Sequence, residues 1–314
     1  MAIKSAWVFP GQGSQRIGMG LDLVKIPAAK AKFKLAEEIL GWSVLEVCQS
    51  NETMLSRTFY TQPCIYVVSS ILADLMKQQG HQPDFVAGYS MGEYIALYAA
   101  GVYDFESGLR LIKRRAELMD KAPSGMMAVL IGCDRALLEQ QIQQTPNVEL
   151  ASDNLDQLVI SGSPAAVALV LSQVEAKRVV PLKLSGAFHS AFMATAAFAF
   201  QQALDSIEFQ TAEIPVLSNV EPLPAVDATV LKERLGQQMT GAVRWREITL
   251  QLAAEGVKRV VEIGSTQVLT NLIKRAELHD NVSARLGFAL ANITSESELY
   301  SFGCQRVDKP LVCF

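Results

Sequence analysis

Short apolar runs alternate with longer segments of helical periodicity through the first part of the chain. Strands are predicted over Ala6–Pro10 and over the run DFVAG that begins at Asp84. Helices are predicted over Lys30–Leu45, Pro63–Gln79 and Gly92–Ala100, with Gly101 as the C-cap of the last. Strands and helices that alternate in this way indicate an α/β fold with a mostly parallel sheet.

The rhythm changes between Gly125 and Ala187. The predicted order there is strand, helix, strand, strand, helix, strand, carried by the segments MMAVLIG, Arg135–Gln144, VELAS, QLVISG, Ala165–Ala176 and VVPLKLSG. This order is that of a ferredoxin-like unit. We therefore predict a small subdomain over residues 124–188, inserted into a larger body formed by residues 1–123 and 189–293.

The pattern of the large body resumes after Phe188. The predicted elements are a helix over Ala194–Leu204, a strand in IPVLSN, helices over Leu231–Met239 and Trp245–Glu255, and a strand in RVVEIG. From Thr294 onward the chain is polar without a clear period, so residues 294–314 are left as a tail of unassigned structure.

Composition narrows the class of protein. Of the 314 residues, 50% are hydrophobic, the formal net charge is only −4, and no long basic run occurs, which argues against nucleic acid as a partner. No stretch reaches the roughly 20 apolar residues of a membrane span, and Pro10 and Gly11 interrupt the N-terminus before a signal peptide could form. The cysteines are scattered without C-x-x-C spacing, so we expect reduced thiols in a cytoplasmic compartment and no metal site. We also expect a monomer.

The stretch GYSMG has the Gly-x-Ser-x-Gly outline of a nucleophile elbow centred on Ser90. In an elbow a strand turns sharply into a helix, and the residues two before and two after the serine must be small. Gly88 and Gly92 meet this requirement, and a strand and a helix are predicted on the two sides. Ser90 is therefore either a covalent nucleophile or part of a small-residue turn.

A serine hydroxyl needs a base, and the chain has three histidines. His81 lies in a polar loop, where a surface position is expected, and His279 lies at a predicted solvated helix end. His189 follows LSGAF where the small subdomain returns to the body, and junctions of this kind line clefts. His189 is the best candidate base; the alternative is a loop histidine held by backbone groups.

The loop VFPGQGSQ after the first strand is rich in glycine and polar residues. It lacks the Gly-Lys-Ser/Thr of a P-loop and the spacing of a dinucleotide fingerprint. Its alternative use is to offer a backbone N–H to an oxyanion.

The helix ESGLRLIKRRAELMD carries a misplaced charge. At about 100° per residue its apolar residues share one half of the wheel, and Arg115 projects from the middle of that half. A charge there is costly unless it meets an anion. The partner is either a buried Asp or Glu, or the carboxylate of a substrate held by a bidentate contact.

Several motifs occur in the order and approximate spacing of one family: VFPGQGSQ with GMG, TQP, GYSMGEY, RRAELM, GAFHS, VLSNV, QMTGAVRW and VEIGSTQVLT. The chain resembles the FabD-type malonyl-CoA:acyl carrier protein transacylases over nearly its whole length, to about Lys274. Runs such as AEEILGWSV and LYAAGV are similar to cyanobacterial members. The resemblance implies an α/β-hydrolase-like body with an inserted ferredoxin-like subdomain.

The resemblance also implies catalytic roles. Ser90 would carry the malonyl ester, with His189 as its general base. The backbone N–H groups of Gln12 and Met91 would form the oxyanion hole.

Three further residues match the binding positions of the family. Arg115 would bind the malonyl carboxylate, Gln62 would line the site, and the backbone carbonyl of Gln238 would orient the histidine. The implied partners are malonyl-CoA and holo acyl carrier protein, in fatty-acid or polyketide synthesis. No cofactor is implied, because CoA is part of a substrate and phosphopantetheine belongs to the carrier.

The chain departs from the family pattern at three places. Tyr89 stands where histidine is usual before the serine. The loop Asn-x-Pro-x-Gln is one residue shorter and lacks its proline, over Asn154–Gln157, and the usual Gly-Pro-Gly-Lys is GSTQ at Gly264–Gln267. These departures predict changes in pocket shape, rate or carrier docking, with the core chemistry retained.

Two alternatives to a malonyl transferase follow from the same residues. One is an acyl hydrolase of the same fold acting on carrier-bound acyl groups, and the presence of Arg115 argues against it. The other is a divergent, non-catalytic carrier-binding protein, against which Ser90, His189 and Arg115 all argue.

Overall fold

A five-stranded parallel sheet forms the centre of the large body. A computed structural model describes residues 3–184, 186–279 and 286–304. The strands of this sheet are β1 (Ser5–Phe9), β2 (Phe85–Gly88), β7 (Val216–Leu217), β8 (Arg259–Ile263) and β9 (Ala289–Ile293). They lie in the order β7-β2-β1-β8-β9, and every neighbouring pair is parallel, which confirms the predicted α/β class.

Helices cover this sheet. They are α1 (Pro27–Leu40), α2 (Val44–Gln49), α3 (Glu52–Leu55), α4 (Thr58–Gln78), α5 (Gly92–Ala99), α6 (Phe105–Asp120), α9 (Ala194–Asp205), α10 (Ala228–Gln237), α11 (Trp245–Ala254), α12 (Val268–His279) and α13 (Glu296–Cys304). Short 3-10 helices occur at Asp22–Lys25 and Ala191–Met193. Alternate residues of β1 enter different apolar clusters, since Trp7 and Phe9 belong to one and Ala6 and Val8 to another. The sheet is thus buried on both faces, as expected for parallel strands.

An antiparallel sheet of four strands forms the small subdomain. Its elements are β3 (Met126–Ile131), α7 (Arg135–Gln144), β4 (Val148–Asn154), β5 (Gln157–Gly162), α8 (Pro164–Gln173) and β6 (Arg178–Pro181). The strand order β4-β5-β3-β6 is that of a ferredoxin-like sheet, and a separate apolar cluster lies beneath its helices. Ser124 and Gly186 pair where the chain leaves and re-enters the body. The domain boundaries proposed above stay a prediction.

Two helices of the body have bounds in the structure that differ from those predicted from the sequence. α1 begins at Pro27, where proline is already shaped for the first turn, and ends before Gly41, whose φ of 82° is suited to a C-cap. The predicted helix to Leu45 therefore breaks, and α2 starts after the side-chain cap of Ser43. α4 begins before Pro63, so this proline lies inside the helix rather than at its start.

The end of the chain carries more regular structure than the sequence predicts. β9 extends the parallel sheet beyond β8, and α13 follows within the segment left unassigned. Ser295 and Glu298 form a Ser-x-x-Glu pattern at the start of α13, and the Ser295 hydroxyl accepts from the Glu298 N–H at 3.3 Å. The rest of the tail, from residue 305, lies outside the described residues.

None of the described helices has the length and apolar character needed to cross a membrane. Cys48 and Cys64 are buried free thiols, and Cys133 is partly buried and also free. In the described part of the chain, no three histidine, cysteine or acidic side chains cluster in a way that could hold a metal ion. The cytoplasmic location, the monomeric state and the absence of a metal stay predictions.

Candidate active site

Ser90 lies at the turn between β2 and α5, at the carboxyl end of the parallel sheet. Its φ of 51° is in the left-handed region, which is strained for a serine and common at functional sites. A Cβ at Gly88 would overlap the backbone of Gly92, and a Cβ at Gly92 would overlap the carbonyl of Phe9. The glycines are therefore required by close backbone approach, as the elbow pattern predicts.

Two side chains from distant segments hold the elbow in this shape. Asn219, which follows β7, accepts a hydrogen bond from the Ser90 N–H at 2.7 Å and donates to the carbonyl of Gly88. Gln238, after α10, donates from Nε2 to the Ser90 carbonyl at 2.8 Å. Both amides are fully buried, so the strained turn is fixed on both sides of the serine. No role for Asn219 is evident from the sequence.

His189 lies within hydrogen-bond distance of the candidate nucleophile. The distance from His189 Nε2 to Ser90 Oγ is 2.7 Å. Its Nδ1 lies 3.0 Å from the carbonyl oxygens of both Gln238 and Gly241. Because carbonyl oxygens only accept, Nδ1 carries the ring proton, and Nε2 is left as the acceptor for the Ser90 hydroxyl. The second carbonyl, that of Gly241, was not identified from the sequence.

The position of His189 also controls its charge. The side chain is buried, and burial together with the positive charge of Arg115 lowers its pKa from 6.5 to about 4. The two carbonyl contacts act in the opposite direction and are outweighed. The imidazole is therefore neutral at physiological pH, which is the form that can accept a proton.

The pH dependence of Ser90 acylation is expected to follow this shift. A lowered pKa keeps the imidazole unprotonated in more acidic solution. With malonyl-CoA, the substrate that the resemblance implies, kcat/KM should therefore stay constant from neutral pH to about pH 5 and fall near pH 4. The measurement is kcat/KM at constant ionic strength across this range. A decline centred near the ordinary histidine value of 6.5 would contradict the burial argument.

Arg115 projects from α6 into the same site and is almost completely buried. Its guanidinium donates to three neutral acceptors: Gln62 Oε1 at 2.7 Å, Gln238 Oε1 at 3.1 Å and Ser90 Oγ at 3.2 Å. Among the ion pairs of the described residues, none includes Arg115. A direct structural ion pair, one of the two alternatives raised by the helical wheel, is thus not formed.

A buried acid lies one hydrogen bond further away. Glu93 Oε2 accepts from Gln238 Nε2 at 2.8 Å, so Gln238 stands between Glu93 and Arg115. Burial raises the pKa of Glu93, and in the described part of the chain Glu93 forms no ion pair with Arg115. Arg115 therefore remains a buried cation that direct contact with a carboxylate does not neutralise, and a buried guanidinium of this kind suits an anionic ligand.

The two backbone groups expected to stabilise an oxyanion lie on adjacent loops. Gln12 is in the turn after β1 and lines the cavity at Ser90, while Met91 directly follows the serine at the start of α5. Neither N–H donates a hydrogen bond to another described residue. The side chain of Gln12 instead bonds to Thr58 at 3.0 Å, which fixes the turn.

A cavity of about 220 Å³ joins these groups and lies between the two sheets. Gln62, Ser90, Arg115 and His189 form its polar end. Its remaining wall is largely apolar and comes mainly from the small subdomain and from α12, including Met127, Val129, Val159, Leu182, Leu184, Val268, Leu269 and Leu272. A polar end on a largely apolar cavity suits a ligand that carries a polar group at its end.

The other two histidines lie elsewhere. His81 was expected at the surface, and this was wrong, because the side chain is buried and meets the ring of Phe302 on α13 at 5.1 Å between centroids. His279 is the last residue of α12, and its side chain lies outside the described part of the chain.

The chain matches a known protein family. A family model described as the acyl transferase domain matches residues 6–287. The chain is 54% identical over 274 residues to the malonyl CoA-acyl carrier protein transacylase of Synechocystis sp. PCC 6803, covering 87% of this chain and 94% of that protein.

Solved structures agree with this similarity. The crystal structure of the Synechocystis transacylase superposes with a TM-score of 0.91 at 51% identity, over 95% of this chain and 100% of that chain. A malonyl-transacylase in complex with the holo acyl carrier protein of a type II polyketide synthase gives a TM-score of 0.88 at 31% identity, over 96% and 100% of the two chains.

Proposed function

The chain belongs to the acyl transferase family, and from this we infer that Ser90 carries a malonyl group from malonyl-CoA to the phosphopantetheine thiol of holo acyl carrier protein. The reaction serves fatty-acid or polyketide synthesis, and a polyketide-biosynthesis transacylase is among the proteins similar to the chain. A Ser90–His189 pair performs the acyl transfer in this proposal, with Arg115 as the reader of the malonyl carboxylate.

The first half of the reaction loads the serine. His189 Nε2 takes the Ser90 proton as Oγ attacks the thioester carbon, and the bond from Oγ to carbon forms. The N–H groups of Gln12 and Met91 stabilise the oxyanion that develops on the carbonyl oxygen. The carbon–sulfur bond then breaks, His189 returns the proton to the CoA sulfur, and malonyl-serine remains.

In the second half of the reaction, the malonyl group passes from Ser90 to the carrier. His189 takes the proton of the phosphopantetheine thiol while sulfur attacks the ester carbon. The bond between carbon and Ser90 Oγ breaks, and the proton passes to that oxygen, which restores the enzyme. The 3.0 Å contacts of Nδ1 with the carbonyls of Gln238 and Gly241 keep the same tautomer ready in both halves.

One observation carries the proposal: Ser90 Oγ lies between His189 Nε2 at 2.7 Å and a guanidinium nitrogen of Arg115 at 3.2 Å. A base alone would suit any acyl group. A buried cation beside the nucleophile suits an acyl group whose own carboxylate lies close to the ester carbonyl, as it does in malonyl. The proposed steps use only groups of the chain and of its two substrates, so no cofactor is included.

The test is an intact-mass measurement with a chase. After incubation with malonyl-CoA, the protein is expected to gain the mass of one malonyl group, and addition of holo acyl carrier protein should move that mass onto the carrier. An adduct that is lost to water while the carrier stays unlabelled would instead support the acyl hydrolase. No adduct at all would contradict both enzymatic functions.

A further inference from the structure

Tyr89 departs from the family pattern, and the reaction described above gives it no role. We propose that Tyr89 is a positioning residue that fixes the β4–β5 hairpin over Ser90 and thereby directs the malonyl group to the carrier thiol rather than to water. The inference rests on the proposed function, because it concerns the fate of the ester on Ser90.

A chain of hydrogen bonds joins the elbow to the small subdomain. Tyr89 Oη lies 2.6 Å from Ser152 Oγ on β4. Ser152 Oγ in turn donates to Asn154 Oδ1 at 2.7 Å and lies 3.3 Å from the carbonyl of Val243. Tyr89, Ser152 and Asn154 all line the cavity, so this chain crosses its wall beside the nucleophile.

The direction of these bonds can be assigned. Ser152 has one hydroxyl proton, and its other two partners, Asn154 Oδ1 and the Val243 carbonyl, are acceptors. The proton in the 2.6 Å contact therefore comes from Tyr89. Burial raises the pKa of Tyr89, so the phenol keeps that proton. The aromatic ring is held from the other side by Trp245, edge to face, at 5.7 Å between centroids.

The hairpin that Tyr89 contacts is the one shortened in this chain. β4 and β5 pair up to Asn154 and Gln157, which leaves a turn of only Leu155 and Asp156. The usual proline, which would stiffen a longer loop, is missing. A phenol reaches further than an imidazole and contacts the hairpin near the base of this turn. The contact between Tyr89 and Ser152 thus connects two departures from the family pattern, the tyrosine itself and the shortened hairpin.

The hairpin is also a wall of the cavity, to which it contributes Ala151, Ser152, Asn154, Gln157 and Val159. The backbone joins it to the body on one side, where the Val243 N–H donates to Ala151 O at 2.9 Å and the Asp153 N–H donates to Val243 O at 3.0 Å. Tyr89 fixes it on the side of the elbow. Arg246 and Arg275 also hold the hairpin from the body, through Asp153 at 3.0 Å and Asp156 at 3.5 Å. Without the phenol hydroxyl, the attachment beside the elbow is lost, and the part of the wall next to Ser90 can open.

An open wall matters because water competes with the thiol for the same ester. In hydrolysis, water attacks the malonyl ester carbon and gives a proton to His189. The bond between carbon and Ser90 Oγ breaks, the proton returns to Oγ, and free malonate leaves. His189 serves both acceptors alike, so the choice between them depends on which one reaches the ester. A closed hairpin leaves the cavity as the route of the phosphopantetheine arm and keeps bulk water from the ester.

The test measures how much of the malonyl group on Ser90 is lost to water and how much is transferred to the carrier thiol. Protein loaded with malonyl-CoA is desalted, and loss of the adduct is followed by intact mass with and without holo acyl carrier protein. Tyr89→Phe keeps the ring and removes the hydroxyl; we expect the ratio of hydrolysis to transfer to rise about fivefold to tenfold, as for one hydrogen bond. Ser152→Ala should give the same rise, and the double variant no further one.

Tyr98→Phe is the matched control. It removes another phenol hydroxyl, that of Tyr98 on α5, which donates to Asp74 at 2.6 Å and does not line the cavity. The ratio of hydrolysis to transfer in this variant should therefore equal that of the wild type. A loss of stability alone would lower the amount of folded protein without changing this ratio.

The outcomes separate this inference from the proposed function. An unchanged ratio in Tyr89→Phe and Ser152→Ala, or additive effects in the double variant, would overturn the role of Tyr89 while the transferase stands. If Tyr89→Phe does not fold, Ser152→Ala alone decides. Failure of the wild type to form an adduct would overturn the proposed function itself.

Discussion

The Ser90→Ala variant is expected to form no malonyl adduct and to lose about 10⁶-fold in transfer rate, as when a nucleophile of this kind is removed. The reason is geometric. In the described part of the chain, Ser90 Oγ is the side-chain atom that bonds to His189 Nε2, at 2.7 Å. Without it the base has no nucleophile to activate. Intact mass after incubation with malonyl-CoA reports the adduct, and carrier labelling reports the rate.

Ser70→Ala provides the matched control. Ser70 is a fully buried serine on α4 that does not line the cavity, so its loss should leave both adduct and transfer unchanged. A malonyl adduct of normal yield on Ser90→Ala would place the acyl group on another residue and would overturn the assignment of the nucleophile.

The sequence predicts those parts of the site that depend on local pattern. Ser90 is recognisable because a sharp strand-to-helix turn demands glycine on both sides within five consecutive residues, and the structure shows the close approach that causes this demand. Arg115 is recognisable because one helix sets its direction, and the buried face of α6 includes it as the wheel predicts. In both cases the physical constraint lies within a single element or turn.

The parts that could not be predicted depend on loops that meet only in the folded chain. The Gly241 carbonyl and the Asn219 amide come from irregular segments, and no periodicity shows where a carbonyl or an amide will point. The surface position expected for His81 was wrong for a related reason. What buries it is α13, which packs Phe302 against its ring and belongs to the segment that the pattern left unassigned.

The surroundings of Arg115 explain why its charge remains available. Three neutral oxygen atoms accept from it, and among the described contacts the buried acid Glu93 bonds to Gln238 rather than to Arg115 itself. Amides satisfy the geometry of a guanidinium without cancelling its charge. The ring of Tyr94, whose centroid lies 5.5 Å from the guanidinium carbon, adds a cation–π contact that also leaves the charge in place. This arrangement supports the proposal that Arg115 binds an anion of the substrate.

Arg115→Ala is expected to lower the preference for malonyl-CoA over acetyl-CoA by roughly 10²- to 10⁴-fold, which corresponds to the loss of a buried charge partner worth about 3–5 kcal/mol. Malonyl loses its carboxylate contact, whereas acetyl no longer has to leave a buried guanidinium unpaired. The measurement is kcat/KM for Ser90 acylation with each thioester. Arg114→Ala, one residue away and 43% exposed, should keep the wild-type preference, because its side chain pairs with Glu117 outside the cavity. Equal preference in Arg115→Ala and the wild type would mean that another group reads the carboxylate.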